Sequence, residues 1–256
     1  MAVKADAYGH GVLDIVQTAL ASGVDYLAVA TVSEGSELRE AGIEAPVLLM
    51  SFPLMEEVEE VVRLSLTPFV GTEAYLAALE TEGARQSKTV EVHLKVDTGM
   101  GRIGCTPEEA TGFALRIARS SHLRLSGIGT HFPVADMTSG SHESFTRTQV
   151  RVLAEVVKSI RAQGVDPGVV HAANSGAIVA YPESYFDLVR PGIILYGYYP
   201  SHQQQRVLDF RPIMTLETRI VFLKRVPAGT GISYGLTYRT SNESVIATIP
   251  CGYGDG

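Results

Sequence analysis

A lysine four residues ahead of a tyrosine, in Met1-Ala-Val-Lys-Ala-Asp-Ala-Tyr-Gly-His-Gly11, is where this chain first offers chemistry. Met1 to Ala5 reads as a short buried strand that Gly9 and Gly11 break into a turn. A lysine ending such a strand turns its amine toward a cavity and away from bulk water. Burial lowers a lysine pKa, and the neutral amine is the nucleophile that forms a Schiff base with an aldehyde. The Tyr8 hydroxyl is suited to a phosphate on the same ligand. Taken alone, the spacing fits a Lys and a Tyr on a solvated loop at least as well.

Four later segments add groups of matching type. In His93-Leu-Lys-Val-Asp-Thr-Gly-Met-Gly-Arg-Ile-Gly104, the glycines allow a tight loop and Arg102 is placed to clamp an anion. Lys95 lies inside an apolar run, where an unpaired charge is costly, so it should be paired or modified. Thr130-His131-Phe132 ends another run; such a histidine is either a hydrogen-bonded core residue or a ring that stacks on a planar ligand. His171-Ala-Ala-Asn-Ser175 puts Ser175 at a helix start, where its hydroxyl and the backbone N–H groups favour phosphate, or where Asn174 and Ser175 simply cap the helix. In Val189-Arg190-Pro-Gly-Ile-Ile-Leu-Tyr-Gly197, Gly192 exposes backbone N–H groups.

The elements carrying these groups alternate almost to residue 200. Strand-length apolar runs fall at Met1–Ala5, Val24–Thr31, Pro46–Ser51, Leu66–Val70, Val90–Asp97, Arg124–Phe132, Val169–Asn174 and Asp187–Arg190. Helix-period stretches lie between them at Ser33–Ala41, Leu54–Leu64, Thr72–Gly83, Pro107–Ser120 and Ser144–Gln163, with cap signals at Ser33-Glu34, Thr72-Glu73 and Thr106-Pro107. Eight strands alternating with helices predict a TIM-type (β/α)8 barrel, whose active site lies at the C-terminal strand ends, where these residues sit. An open doubly wound sheet usually carries a glycine-rich phosphate turn after its first strand, and none follows here. Beyond about Arg206 the pattern becomes β-rich, in Ile213–Val226 and Ser244–Ile249. The predicted division is therefore a barrel over 1–205 and the first part of a β-rich domain over 206–256. Both ends are expected to be cut, since the outermost strands lack neighbours.

Composition narrows the partners. A net charge of −7 argues against nucleic acid and anionic membrane. No apolar run reaches the roughly 18 residues of a membrane span, and no leader precedes Lys4. Two separated cysteines, Cys105 and Cys251, imply neither a disulfide framework nor a metal knuckle, so no metal is expected and a reducing cytoplasm fits.

In order, the segments around Lys4, Arg102, His131, Asn174-Ser175 and Arg190, then Gly231-Ile-Ser-Tyr-Gly-Leu-Thr-Tyr238, resemble the alanine racemase family of fold-type III pyridoxal-phosphate enzymes along nearly the whole chain. The resemblance implies interconversion of L-alanine and D-alanine, which supplies cell-wall peptidoglycan, by a two-base mechanism on pyridoxal 5′-phosphate in a cytoplasmic homodimer. It makes Lys4 the Schiff-base lysine and first base, and Tyr234 the second base, supplied across the dimer interface. Tyr8 and Ser175 become phosphate ligands with the backbone of Gly192 and Ile193. His131 and Asn174 line the cofactor, Arg190 faces the pyridine nitrogen, Arg102 binds the cofactor and the substrate carboxylate, and Lys95, often carboxylated in the family, braces Arg102. Against the family pattern, an N-terminal strand and helix and most of the β domain are missing. Competing readings are a racemase of serine or of broader specificity, and a non-catalytic cofactor-binding barrel. The segment carrying Tyr234 argues against the last.

Overall fold

Short runs in which nearly every residue is buried become strands because both faces of the sheet are covered. The computed structural model describes residues 1–205 and 208–255; Arg206 and Val207, at the predicted junction, and Gly256 lie outside the described residues. Six strands pair in parallel in sequence order: β1 (Leu27–Val29), β2 (Val47–Leu49), β3 (Thr67–Val70), β4 (Val90–Lys95), β5 (Leu123–Gly129) and β6 (Val169–His171). Helices α3 (Val32–Glu40), α4 (Val58–Arg63), α5 (Glu73–Arg85), α6 (Pro107–Ala118) and α7 (Gly140–Ala162) intervene, and α8 (Ser175–Ala180) follows β6. Most bounds lie within a few residues of the sequence expectation. The cap of α3 differs: Thr31, not Ser33, caps it, in a box closed by Glu34.

Side chains alternate across each strand. Leu27, Val29, Val47, Leu49, Val70, Val92, Leu94, Ile128 and Val170 join the large core cluster, with residues of α3 to α7. Ala28, Leu48 and Phe69 form a separate small cluster on the other face. That face goes on into His93 and His171, whose rings lie 6.2 and 5.6 Å from the Phe69 ring. The polar interior is thus confined to the later strands. It fits there because β5 offers glycines: a Cβ at Gly127 or Gly129 would stand 2.6 or 2.5 Å from the ring of His93 or His171.

The first and eighth predicted strands shrink to single parallel bridges, Ala2 beside Ala28 and Leu188 beside His171. The Ala2 N–H also donates to the Pro191 carbonyl at 2.8 Å, so the two bridging segments meet. The expected strand Met1–Ala5 ends early because the chain turns left-handed: within α1 (Lys4–Gly9), Ala5, Asp6, Ala7 and Tyr8 have φ of 52°, 52°, 52° and 56°. Four consecutive non-glycine residues there cost about 1–2 kcal/mol each, a bias no local pattern favours. A helix the sequence reading passed over, α2 (Val12–Ala21), follows at once.

Contacts divide the chain into two units, Met1–Ile213 and a second beginning at Met214. In the second, β7 (Phe222–Val226) pairs antiparallel with β10 (Ser244–Thr248), and β8 (Gly231–Ile232) with β9 (Tyr238–Arg239). Among the described residues, no helix is long and apolar enough to cross a membrane, and no group of three or more His, Cys, Asp or Glu is placed to hold a metal ion.

Candidate functional site

The segments that follow the strands converge on a cavity of about 450 Å³, lined by Lys4, Tyr8, Arg102, His131, Asn174, Ser175, Arg190, Gly192 and Ile193. Nine residues singled out in the sequence therefore share one space. Lys95 and Tyr234 do not line it. Tyr234 belongs to the second unit, 88% exposed, in a turn where Ser233 and Leu236 have positive φ.

Arg190 organises the floor. It is buried, and burial lowers its pKa to about 10, which leaves it cationic at neutral pH. It donates to the carbonyls of Thr130 (2.7 Å) and Ala172 (3.0 Å) and to Nδ1 of His171 (2.5 Å). These contacts tie together the backbone that follows β5 and β6. A guanidinium has only donors, so His171 Nδ1 accepts. A neutral His171 then carries its proton on Nε2 and donates to His93 Nδ1 at 2.8 Å, which leaves the His93 proton on Nε2. Both rings are held neutral: burial, then the Arg190 charge, push His93 down to about 3 and His171 well below its ordinary value. The same two causes bring His131 to about 3. Of the three guanidinium nitrogens, Nε alone is buried with no hydrogen-bond partner.

A second corner is built for an anion. Ser175 Oγ accepts the Gly192 N–H at 3.0 Å, and a Cβ on Gly192 would lie 2.7 Å from the Tyr8 hydroxyl. Only glycine lets these three groups approach one another. Lys4 Nζ lies 5.8 Å from the centre of the Tyr8 ring. Asn174 spends its amide on the fold, donating to the Phe132 carbonyl and capping α8 through the Ala177 N–H.

Arg102 rides a loop held by one carboxylate. Asp97 accepts the N–H groups of Gly99 (3.0 Å), Met100 (2.8 Å) and Gly101 (2.9 Å). Partial burial works against the Asp97 charge, but the Gly101, Gly99 and Met100 donors outweigh it and hold its pKa below the ordinary range. Lys95 is not paired as expected. It is buried with Nζ unpartnered, 5.7 Å from the centre of the Phe69 ring, and burial, then Arg190, bring it to about 7. No hydrogen bond joins it to Arg102, so the bracing role has no direct contact behind it.

Residues 1–200 match the family model of the alanine racemase N-terminal domain, and residues 213–256 that of the C-terminal domain. The chain belongs to the alanine racemase family. It is 44% identical to the alanine racemase of Treponema denticola over 254 residues, covering 99% of this chain and 67% of that one. It superposes on the alanine racemase of Clostridium difficile 630 with a TM-score of 0.91 at 36% identity, and on that of Bacillus anthracis with bound L-Ala-P at 0.87 and 34%; each match covers 99% of this chain and 66% of the other. The chain thus spans about two thirds of the length of these alanine racemases.

Three groups in this alanine racemase fold escaped the sequence reading. Asp97 carried a signal, since Asp followed by Thr-Gly-Met-Gly is a side chain set to collect backbone N–H groups. The relay from His93 to His171 carried none, because its partners are 78 positions apart. Glu34 read only as a helix start.

Proposed function

We propose that this chain is the cofactor-binding part of an enzyme that interconverts L-alanine and D-alanine with pyridoxal 5′-phosphate and so supplies peptidoglycan synthesis. In this reading residues 1–205 form a (β/α)8 barrel, residues 206–256 begin a β-rich domain, and the working unit is a cytoplasmic homodimer. The observation that carries it is Arg190 Nε. This buried donor lacks an acceptor, and its residue lines the cavity that also gathers a lysine and the Tyr8, Ser175 and Gly192 cluster. A pyridine nitrogen accepts a hydrogen bond, a phosphate matches the cluster, and an aldehyde matches the amine, so the residues fit the cofactor.

Pyridoxal phosphate, when bound, supplies the electron sink that makes an amino acid's α-proton removable. The chain's residues do the rest. Tyr8, Ser175 and the backbone of Gly192 and Ile193 hold the phosphate, while His131 and Asn174 line the ring. Arg190 has no proton-accepting capacity, so a ring nitrogen facing it stays unprotonated and the sink is kept weak. That limits side reactions. Arg102 takes the substrate carboxylate, with Lys95 in support. Racemisation needs one base on each face of the α-carbon. Lys4 serves one face with its amine, and Tyr234 the other from the partner subunit.

Adding pyridoxal phosphate and then borohydride should fix the cofactor to a single peptide, the one containing Lys4. A label on any other lysine overturns the assignment. Gly192→Ala should drive the Tyr8 hydroxyl out of the phosphate corner. Losing one hydrogen bond to a charged group should raise the half-saturating pyridoxal phosphate concentration by about tenfold. An unchanged titration would place the phosphate elsewhere.

A further inference from the structure

Lys4 is aimed by a backbone that needs external support. Residues 5 to 8 are not glycines, yet they stay in the left-handed region, where the ordinary conformation is cheaper. Some support is local. The Ala7 N–H donates to the Val3 carbonyl at 2.9 Å, and the Asp6 carboxylate accepts the Val12 N–H at 2.7 Å. The support from outside comes from Glu34 on α3. Its Oε1 accepts the Ala5 N–H at 2.7 Å, while its Oε2 accepts those of Ala30 (2.7 Å) and Thr31 (3.2 Å). The Ala5 N–H belongs to the peptide that leaves Lys4, so this contact sets the direction in which the lysine departs from the chain.

We propose that Glu34 is a positioning residue for Lys4: one carboxylate oxygen caps α3 and the other clamps the Lys4–Ala5 peptide into the left-handed turn. The inference rests on the reading of Lys4 as the cofactor lysine. Three N–H donors converge on two oxygens, and only a carboxylate offers two accepting atoms. Glutamine serves a capping box as well as glutamate does. An amide, however, has one oxygen, so its NH2 would be set against the Ala5 N–H or against the other two donors. Glu34→Gln therefore separates the clamp from the cap.

The test uses the full chain and two readouts: hydrogen exchange at the Ala5 amide without cofactor, and half-saturation by pyridoxal phosphate. Glu34→Gln should keep the helical circular dichroism of the parent, lose protection at Ala5, and raise half-saturation roughly tenfold or more, as expected for a charge-assisted hydrogen bond replaced by facing donors. Thr31→Ala, which removes the cap hydroxyl alone, should unfold at lower temperature with Ala5 protection intact and half-saturation within about twofold. Should Glu34→Gln not fold, Glu34→Asp carries the same expectation, since it keeps both oxygens and the charge but is one methylene short. Parental protection and half-saturation in the Glu34 variant would overturn the proposal. So would an equal loss in Thr31→Ala, which would reduce the effect to helix capping. If the parent itself is not modified at Lys4, the reading of the site fails, and Ala5 exchange still decides whether Glu34 clamps the turn.

Discussion

Acidification from pH 7 to pH 4.5 should remove about 5 kcal/mol of folding stability through His93 and His131, with His171 acting in the same direction, a loss comparable with the about 5–15 kcal/mol that holds a typical domain together. His93 and His131 are held at about 3 and His171 well below its ordinary value, each by burial first and the Arg190 charge second. In the unfolded chain each titrates near 6.5. Between those values the unfolded state takes up protons that the folded state refuses. The stability is therefore fully present above about pH 6.5 and is lost as pH falls toward the folded values, by about 1.4 kcal/mol per group per pH unit once the unfolded imidazoles are charged. Lys95 acts in the same direction at higher pH, because it titrates at about 7 in the fold against an ordinary value of 10.5. Stability should thus still be rising through pH 8 to 9. Urea midpoints measured from pH 4.5 to 9 check both halves. A midpoint flat between pH 7 and 5 would mean that the buried imidazoles accept protons in place.

Arg190→Leu should cost about 3–6 kcal/mol of stability before any chemistry is measured. The substitution leaves the Thr130 and Ala172 carbonyls and His171 Nδ1 without their donor. Each orphaned acceptor costs about 1–3 kcal/mol, less where water enters the space. Arg190→Lys keeps the charge but offers a point donor instead of a planar fork, so it should fall between parent and Leu. Denaturant titration of the three proteins at pH 7.5 settles the order. A Leu variant within about 1 kcal/mol of the parent would show that the strand-end carbonyls find other donors. Any change in reaction specificity of an Arg190 variant has to be read against this loss, because the residue staples the floor of the cavity as well as facing it.

The sequence by itself determined the order of elements and most of the cavity. Apolar runs of five to nine residues between helical periods placed β1 to β6 to within a few residues, since burial on both faces leaves a mark on most strand positions. Lys4, Arg102, His131, Ser175 and Arg190 were found because each sits where a strand gives way to a loop, and the resemblance joined them. What the tertiary structure alone decided lies in contacts between distant positions. Nothing local tells Ala5 to Tyr8 to turn left-handed, because local sterics oppose it and the compensating acceptor is 29 residues away on Glu34. Arg190 read as a ligand to something bound, yet its hydrogen bonds reach residues 18 to 60 positions away, and those partners fix the protons on His171 and His93. Periodicity records which side chains are buried; which buried polar groups face each other is set only when the sheet brings its strands together.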